Sequence, residues 1–341
     1  MVWRHGHAHN DYEQEEPLRS ALRAGIRSIE VDVFPPTFSR KSGFPIRSEA
    51  PSRCLVAHTK WGVSNDKDIV DLYVEPLREY LNSLVAGRGD NVRRRYKIVR
   101  FLSHLKDARL EGVTNTNGGA MPEGVRPVNL LIDIKRSPKT VLPVLLDNLR
   151  PLREWMTTYD EKGNVKEGLI KVVLSGDLGA VKGEMERYFV KKECGRLDCK
   201  DEFGGEGRML PNLEGAGKEG VFFIDGRVSD LKRGRRGGKQ VRIEPTTVDE
   251  QGLSIPCISF NYKGLLYSSI IRGKTRNRRI EEITRKAHSE GKRVRAFALP
   301  NSEGAWEDAL RNGVDIISVD DHQGFREFCK KKSQREKEGF F

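Results

Sequence analysis

Short apolar runs and amphipathic stretches take turns along this chain. Apolar runs fall at Val2 to His9, Ile26 to Phe34, Val128 to Ile134, Leu169 to Ser175, Val221 to Asp225, Cys257 to Phe260, Val294 to Leu299 and Asp315 to Val319, and each predicts a strand. Helical spacing occupies the intervals: Pro17 to Ala24, with an early proline and Gly25 as its stop, then Asp66 to Leu84, Ser137 to Trp155, Leu178 to Phe189, Arg278 to Glu290 and Ser302 to Asn312. Eight strands in βα alternation predict the α/β class and a (β/α)8 TIM barrel with long loop insertions. Arg53 to His58 is left over. It follows the second strand too closely for an intervening helix, so it is expected to fold back as a hairpin on the barrel rim.

Four segments break the alternation: Pro35 to Ser52, Ala86 to Arg126, Lys191 to Glu219 and Lys232 to Gln251. Gly, Pro or charge dominates each, so they read as loops. The first and last follow strands, on the face where a barrel builds its active site. One barrel domain over residues 1–329 is expected, followed by a basic C-terminal tail over residues 330–341.

Composition narrows the partners. The chain has 61 Lys and Arg against 49 Asp and Glu, a formal charge of +12, which favours anionic partners: phosphate esters, an acidic membrane surface or nucleic acid. Its basic clusters are Arg93 to Arg95, Lys232 to Arg236 and Lys330 to Lys332. Single-strand binding would want aromatics interleaved with them, and around Arg233 and Arg278 no aromatic residue lies within several positions, which argues against nucleic acid. No run approaches the ~18 apolar residues of a membrane span. Strand-like sequence begins by Val2, so no signal peptide is read there, no Asn-x-Ser/Thr sequon occurs, and the compartment stays open. Five scattered cysteines do not make a disulfide scaffold; Cys194 and Cys199 share a polar loop, where they either pair or remain two thiols.

The chemistry lies in the parity of polar residues within apolar strands. His5, His7 and His9 share one face of the first strand. On the second, Glu30 and Asp32 alternate with Ile29, Val31 and Val33 and so stand on one face, ~7 Å apart. Asp133 and Lys135 repeat the pattern on the third. Carboxylates gathered in a barrel mouth repel by roughly 3 kcal/mol per pair at about 5 Å. Either a cation satisfies them, and all-oxygen ligands suit Mg2+, Ca2+ or Mn2+, or Lys135 neutralises them as core ion pairs. His58 ends an apolar run as His9 does. Two imidazoles on one rim suit general acid–base work near neutral pH.

Taken in order, His9-Asn10-Asp11-Tyr12, Pro17-Leu18, Glu30-x-Asp32, Val56-Ala57-His58, Leu130-Leu131-Ile132-Asp133-Ile134-Lys135, Arg295 with Phe297 and Pro300, and Asp320-Asp321 resemble the phospholipase C-like phosphodiesterase superfamily. The likeness is greatest to the fungal altered inheritance of mitochondria protein 6 group, related to glycerophosphodiester phosphodiesterases and sphingomyelinase D toxins. The resemblance implies a distorted TIM barrel and one Mg2+ (or Ca2+). It implies His9 and His58 as the catalytic pair, Glu30, Asp32 and Asp133 as metal ligands, and Lys135, Asn10 and Phe297 toward the substrate. Phe297 stands where the family usually carries tryptophan, and the segment between Asp32 and His58 is longer than usual. Attack by water gives a hydrolysed phosphodiester, and attack by an internal hydroxyl gives a cyclic phosphate.

Two rival readings exist. His7-Ala8-His9 fits the His-x-His of metal-dependent amidohydrolase barrels, which also need histidines at the ends of middle strands. A non-catalytic barrel could bind anionic head groups or nucleic acid through its basic loops, but such a binder has no use for His9, Glu30, Asp32, Asp133 and His58 together.

Overall fold

The structure, a computed structural model, describes residues 3–36, 52–85, 127–160, 164–189, 220–231, 254–265 and 275–337. The expectations placed on Ala86 to Arg126, Lys191 to Glu219, Lys232 to Gln251 and most of Pro35 to Ser52, including Cys194 and Cys199, lie outside the described residues.

In chain order the strands are β1 (Trp3–Ala8), β2 (Ile26–Phe34), β3 (Leu55–Val56), β4 (Val128–Ile134), β5 (Thr158–Tyr159), β6 (Val165–Lys166), β7 (Ile170–Gly176), β8 (Phe222–Arg227), β9 (Cys257–Asn261), β10 (Arg293–Phe297) and β11 (Ile316–Val319). The α-helices are α1 (Arg19–Ala24), α2 (Glu75–Val85), α3 (Pro138–Asn148), α4 (Leu178–Phe189), α5 (Arg276–Ser289), α6 (Glu303–Arg311) and α7 (His322–Lys337). Strands pair in the order β1-β11-β10-β9-β8-β7-β4-β2, and β1 also pairs with β2, closing an eight-stranded parallel barrel. The predicted fold class holds.

Strand parity separates the apolar packing outside the barrel from that inside it. Outward-facing residues such as Ile29, Val31, Val33, Leu130, Ile132, Val172 and Ile224 join the helices in one large core. Inside the barrel, Leu131, Val173 and Phe223 pack with Tyr159 as a separate cluster that fills the floor. Tyr159 reaches it from the β5–β6 hairpin, its ring 5.0 Å from that of Phe223. Above this floor the inward positions turn polar.

One seam of the barrel is unusual. β2 pairs with β4 from Ser28 to Val33, but with β1 only as far as Ile29. Beyond that point its free edge takes up β3, antiparallel, with Val33 opposite Val56 and Phe34 opposite Leu55. This is the expected hairpin return, and it carries Ala57 and His58 alongside Asp32, with the Ala57 amide donating to the Asp32 carbonyl at 3.3 Å. Buried Asn148 anchors its far side, accepting from the Cys54 amide and donating to the Ser52 carbonyl, both at 2.9 Å.

Several elements depart from the periodicity. The stretch predicted as one helix from Asp66 begins as a π-helical turn, Val70–Val74, capped by Asp68 Oδ1 on the amides of Val70 and Asp71, and only then becomes α2. The stretch predicted from Ser137 to Trp155 divides at Leu149: Pro151 cannot donate a helical hydrogen bond, and a 3₁₀ segment, Arg150–Trp155, follows α3. Lys330 to Lys332, read as terminal tail, lie within α7, whose Phe325, Phe328 and Cys329 are buried.

Candidate active site

β2 and β4 place Asp32 level with Asp133, and Glu30 lies two residues below Asp32 on the same face. One carboxylate oxygen from each of Glu30, Asp32 and Asp133 can be chosen so that all lie within 4.8 Å of one another. Glu30 and Asp32 are buried and Asp133 is half-buried. Lys135 Nζ bridges two of them, 2.8 Å from Asp32 Oδ2 and 2.9 Å from Asp133 Oδ2. Tyr12 crowds the same Asp32 oxygen, its hydroxyl 2.7 Å from Oδ2, 2.9 Å from Asn10 Oδ1 and 3.3 Å from His58 Nδ1. Asn10 turns the chain off β1 in the left-handed region, at φ 47° and ψ 41°.

The other oxygens of these aspartates are left bare. Asp32 Oδ1 and Asp133 Oδ1 are buried without a hydrogen-bond partner among the described residues. An orphaned buried carboxylate oxygen is costly, and two converging with Glu30 form a hard, oxygen-only donor set that fits Mg2+, Ca2+ or Mn2+. Burial foremost pushes the Asp32 carboxyl up to about 6, against the pull of Lys135.

The two predicted histidines are held in similar ways. His9 Nδ1 lies 2.7 Å from Asp320 Oδ1. Burial works to lower the His9 pKa, but the hydrogen bond to Asp320 and the charges of Glu30 and Asp320 outweigh it, and the net shift is upward. Asp320 is itself fixed by Asn301, through Nδ2 to Oδ2 at 2.7 Å. His58 turns Nδ1 toward the Tyr12 hydroxyl, 3.6 Å from Asp32 Oδ2. Both rings are thus tethered through Nδ1, which leaves each Nε2 for a substrate.

His5, His7 and His9 share a face but lie at different depths. His5 is exposed at the foot of β1, against the Asp315 carbonyl at 2.9 Å. His7 is wholly buried, its Nδ1 2.7 Å from Ser28 Oγ and its Nε2 3.0 Å from Glu30 Oε2. Burial foremost lowers its pKa. His7 Nε2 also meets the Arg295 guanidinium, at 3.0 Å, so the ring is wedged between a carboxylate and a cation.

The sequence reading gave no role to Tyr12, Asp225, Arg295 or Asp320. Arg295, 5% exposed, extends across the barrel from β10: Nε donates to Ser259 Oγ at 2.8 Å, one terminal nitrogen to Glu30 Oε2 at 3.2 Å, the other to Asp225 Oδ2 at 3.0 Å. Asp225 is fully buried and also receives Arg227, at 2.8 Å, and the hydroxyls of Ser175 and Ser259. Phe297 is half-buried, its ring centroid 5.6 Å from the Arg295 guanidinium carbon. The signal that could have found Arg295 is the one that found Glu30, a charge at an inward position of an apolar strand.

Residues 2–181, half of the chain, match the AIM6-like phosphodiesterase domain. The chain belongs to that family. The matched span contains His9, Asn10, Glu30, Asp32, His58, Asp133 and Lys135, while Asp225, Arg295, Phe297 and Asp320 lie beyond it. An altered inheritance of mitochondria protein 6 from Eremothecium gossypii is 23% identical over 94% of this chain and 68% of its own length. Another, from Kluyveromyces lactis, is 27% identical over 50% of this chain and 37% of its own length, so the chain matches little more than a third of that relative. Glycerophosphodiester phosphodiesterases from Parabacteroides distasonis and Agrobacterium tumefaciens, each 12% identical, superpose with TM-scores of 0.41 and 0.40, covering 96% and 97% of this chain and 98% and 100% of theirs. The barrel assignment rests on the closed strand order itself.

Proposed function

We propose that this member of the AIM6-like family is a divalent-metal-dependent phosphodiesterase acting on a glycerophosphodiester or phospholipid-like substrate. The observation that carries the reading is the pair of orphaned buried oxygens, Asp32 Oδ1 and Asp133 Oδ1, beside Glu30. A divalent cation held by these three residues would supply Lewis-acid stabilisation of charge on a phosphoryl oxygen. Lys135, whose ammonium lies between Asp32 and Asp133, would offset charge on the phosphate. His9 and His58, each tethered at Nδ1, divide the proton transfers at Nε2: one takes the proton of the attacking hydroxyl or water, and the other returns one to the departing alkoxide. Asn10 fixes Tyr12 and hence His58, and Phe297 forms an apolar wall beside the substrate. The +12 charge suits an anionic substrate and peripheral contact with an acidic membrane surface.

The amidohydrolase alternative wants histidines on the middle strands, and among the described residues no strand between β2 and β10 carries one.

The test is turnover of bis(p-nitrophenyl) phosphate, glycerophosphodiesters, lysophospholipids and sphingomyelin, with Mg2+ and with EDTA. Turnover should vanish in EDTA, and His9→Ala and Glu30→Ala should each lower kcat by about 10² to 10⁴. Activity undiminished by EDTA would overturn the metal-dependent reading. Full activity in His9→Ala would overturn the two-histidine reading.

A further inference from the structure

Glu30 differs from the other two candidate ligands in how it is held. Lys135 serves both Asp32 and Asp133 from the mouth, whereas Glu30 is reached from below, across the barrel. Its Oε2 receives both Arg295, at 3.2 Å, and His7, at 3.0 Å, and its Oε1 takes no hydrogen bond among the described residues. Arg295 is fixed at every nitrogen: Nε on Ser259, one terminal nitrogen at Glu30, the other on Asp225. Asp225 has both oxygens engaged, Oδ1 by Ser259 and Oδ2 by Ser175, Arg227 and Arg295.

Burying this many charges is expensive unless the geometry is enforced on every side. Here the arrangement is balanced, since Glu30 and Asp225 are matched by Arg295 and Arg227. A planar fork suits the task because it meets two carboxylates and a hydroxyl at once, which a lysine cannot do. The result is a carboxylate with one oxygen committed to the protein and the other free.

We propose that Arg295, braced by Asp225 and Ser259, is a positioning residue that presents Glu30 to the cation through Oε1 alone. The inference rests on the metal-dependent reading above and adds to it the residue that sets the denticity and aim of one ligand. Arg295 acts through Glu30, and the same terminal nitrogen lies 3.0 Å from His7 Nε2, which holds the other side of that carboxylate.

The test uses Mn2+ binding to the full chain, followed by electron paramagnetic resonance, in the parent and in Arg295→Lys and Ser259→Ala. Arg295→Lys keeps the charge and removes the fork, so electrostatic attraction for the ion stays level while Glu30 loses its brace. Loss of a group that orients a metal ligand weakens binding about 10- to 100-fold, and that is the expected rise in Kd for Arg295→Lys. The bound-Mn2+ spectrum should broaden as Glu30 samples more than one geometry. Ser259→Ala, the milder change, carries the test should Arg295→Lys not fold, and a Kd raised several-fold is expected. Circular dichroism identifies the folded variants. A folded variant binding Mn2+ within twofold of the parent, with an unchanged spectrum, overturns the positioning role and leaves the metal site standing. A parent chain that binds no Mn2+ overturns the metal-dependent reading, and the positioning role falls with it.

Discussion

Gly176 shows how tightly one residue can bear on the site. It closes β7 at φ +104°, a conformation that L side chains rarely adopt, and a Cβ there would lie 2.4 Å from the Ile134 carbonyl oxygen and 2.8 Å from Asp133 Oδ1. Gly176→Ala should therefore cost about 1 to 3 kcal/mol through backbone strain. Urea unfolding of the metal-free protein would measure the loss. The same methyl would push Asp133 out of line with Asp32. At this scale the sequence was informative where a polar residue interrupted an apolar alternation, as with Glu30, Asp32, Asp133 and Lys135. It was silent on Arg295 with Asp225 and on His9 with Asp320, because those partners are 70 and 311 residues apart and meet only when the barrel closes.

Among helices, α7 was missed. Its basic stretch reads as a solvated tail, yet one helical face buries Phe325, Phe328 and Cys329, and the lysines find acidic partners on α6: Lys331 with Glu303 and Lys332 with Glu307. Phe325 packs edge-on to Trp306, ring centroids 5.3 Å apart, and lies directly over Gly6 of β1, where any Cβ would approach it to 2.7 Å. Removing this ring empties a closed site that joins α6, α7 and the first strand. Phe325→Ala should destabilise the fold by about 3 to 5 kcal/mol, measured as the free energy of urea unfolding. The barrel strands were legible because their apolar runs are short and bounded. A helix with a narrow apolar stripe under many lysines was not, and neither was the two-residue β5–β6 hairpin, too short to show a period.

For the molecule as a whole, stability should depend on pH through two buried groups that flank the candidate site, His322 and Asp11. His322, at the start of α7, is 5% exposed, with Nδ1 3.4 Å from Ser20 Oγ and Nε2 without a partner among the described residues. Burial is the main cause that lowers its pKa to about 4 from an ordinary 6.5. A depressed histidine favours the neutral form in the fold, so its contribution is full above pH 6.5 and is lost as pH falls toward 4. Asp11 opposes this. Burial foremost raises it to about 6 from 3.8, so it stabilises the fold at low pH and loses that contribution as pH rises through 6. Because the two offset, the parent alone will hide both. The comparison that separates them is His322→Gln against the parent, by denaturant unfolding at pH 7 and pH 5. The variant should gain about 2 kcal/mol on the parent over that interval; an unchanged difference would mean that His322 takes up its proton in the fold as easily as in the unfolded chain.

The sealed floor has a consequence for traffic. Leu131, Tyr159, Val173 and Phe223 close the barrel beneath the charged layer, so the interior is a cul-de-sac and not a corridor. A substrate that meets the charged layer at the strand ends would have to leave by the face it came from, and an arriving molecule would wait on the departing one.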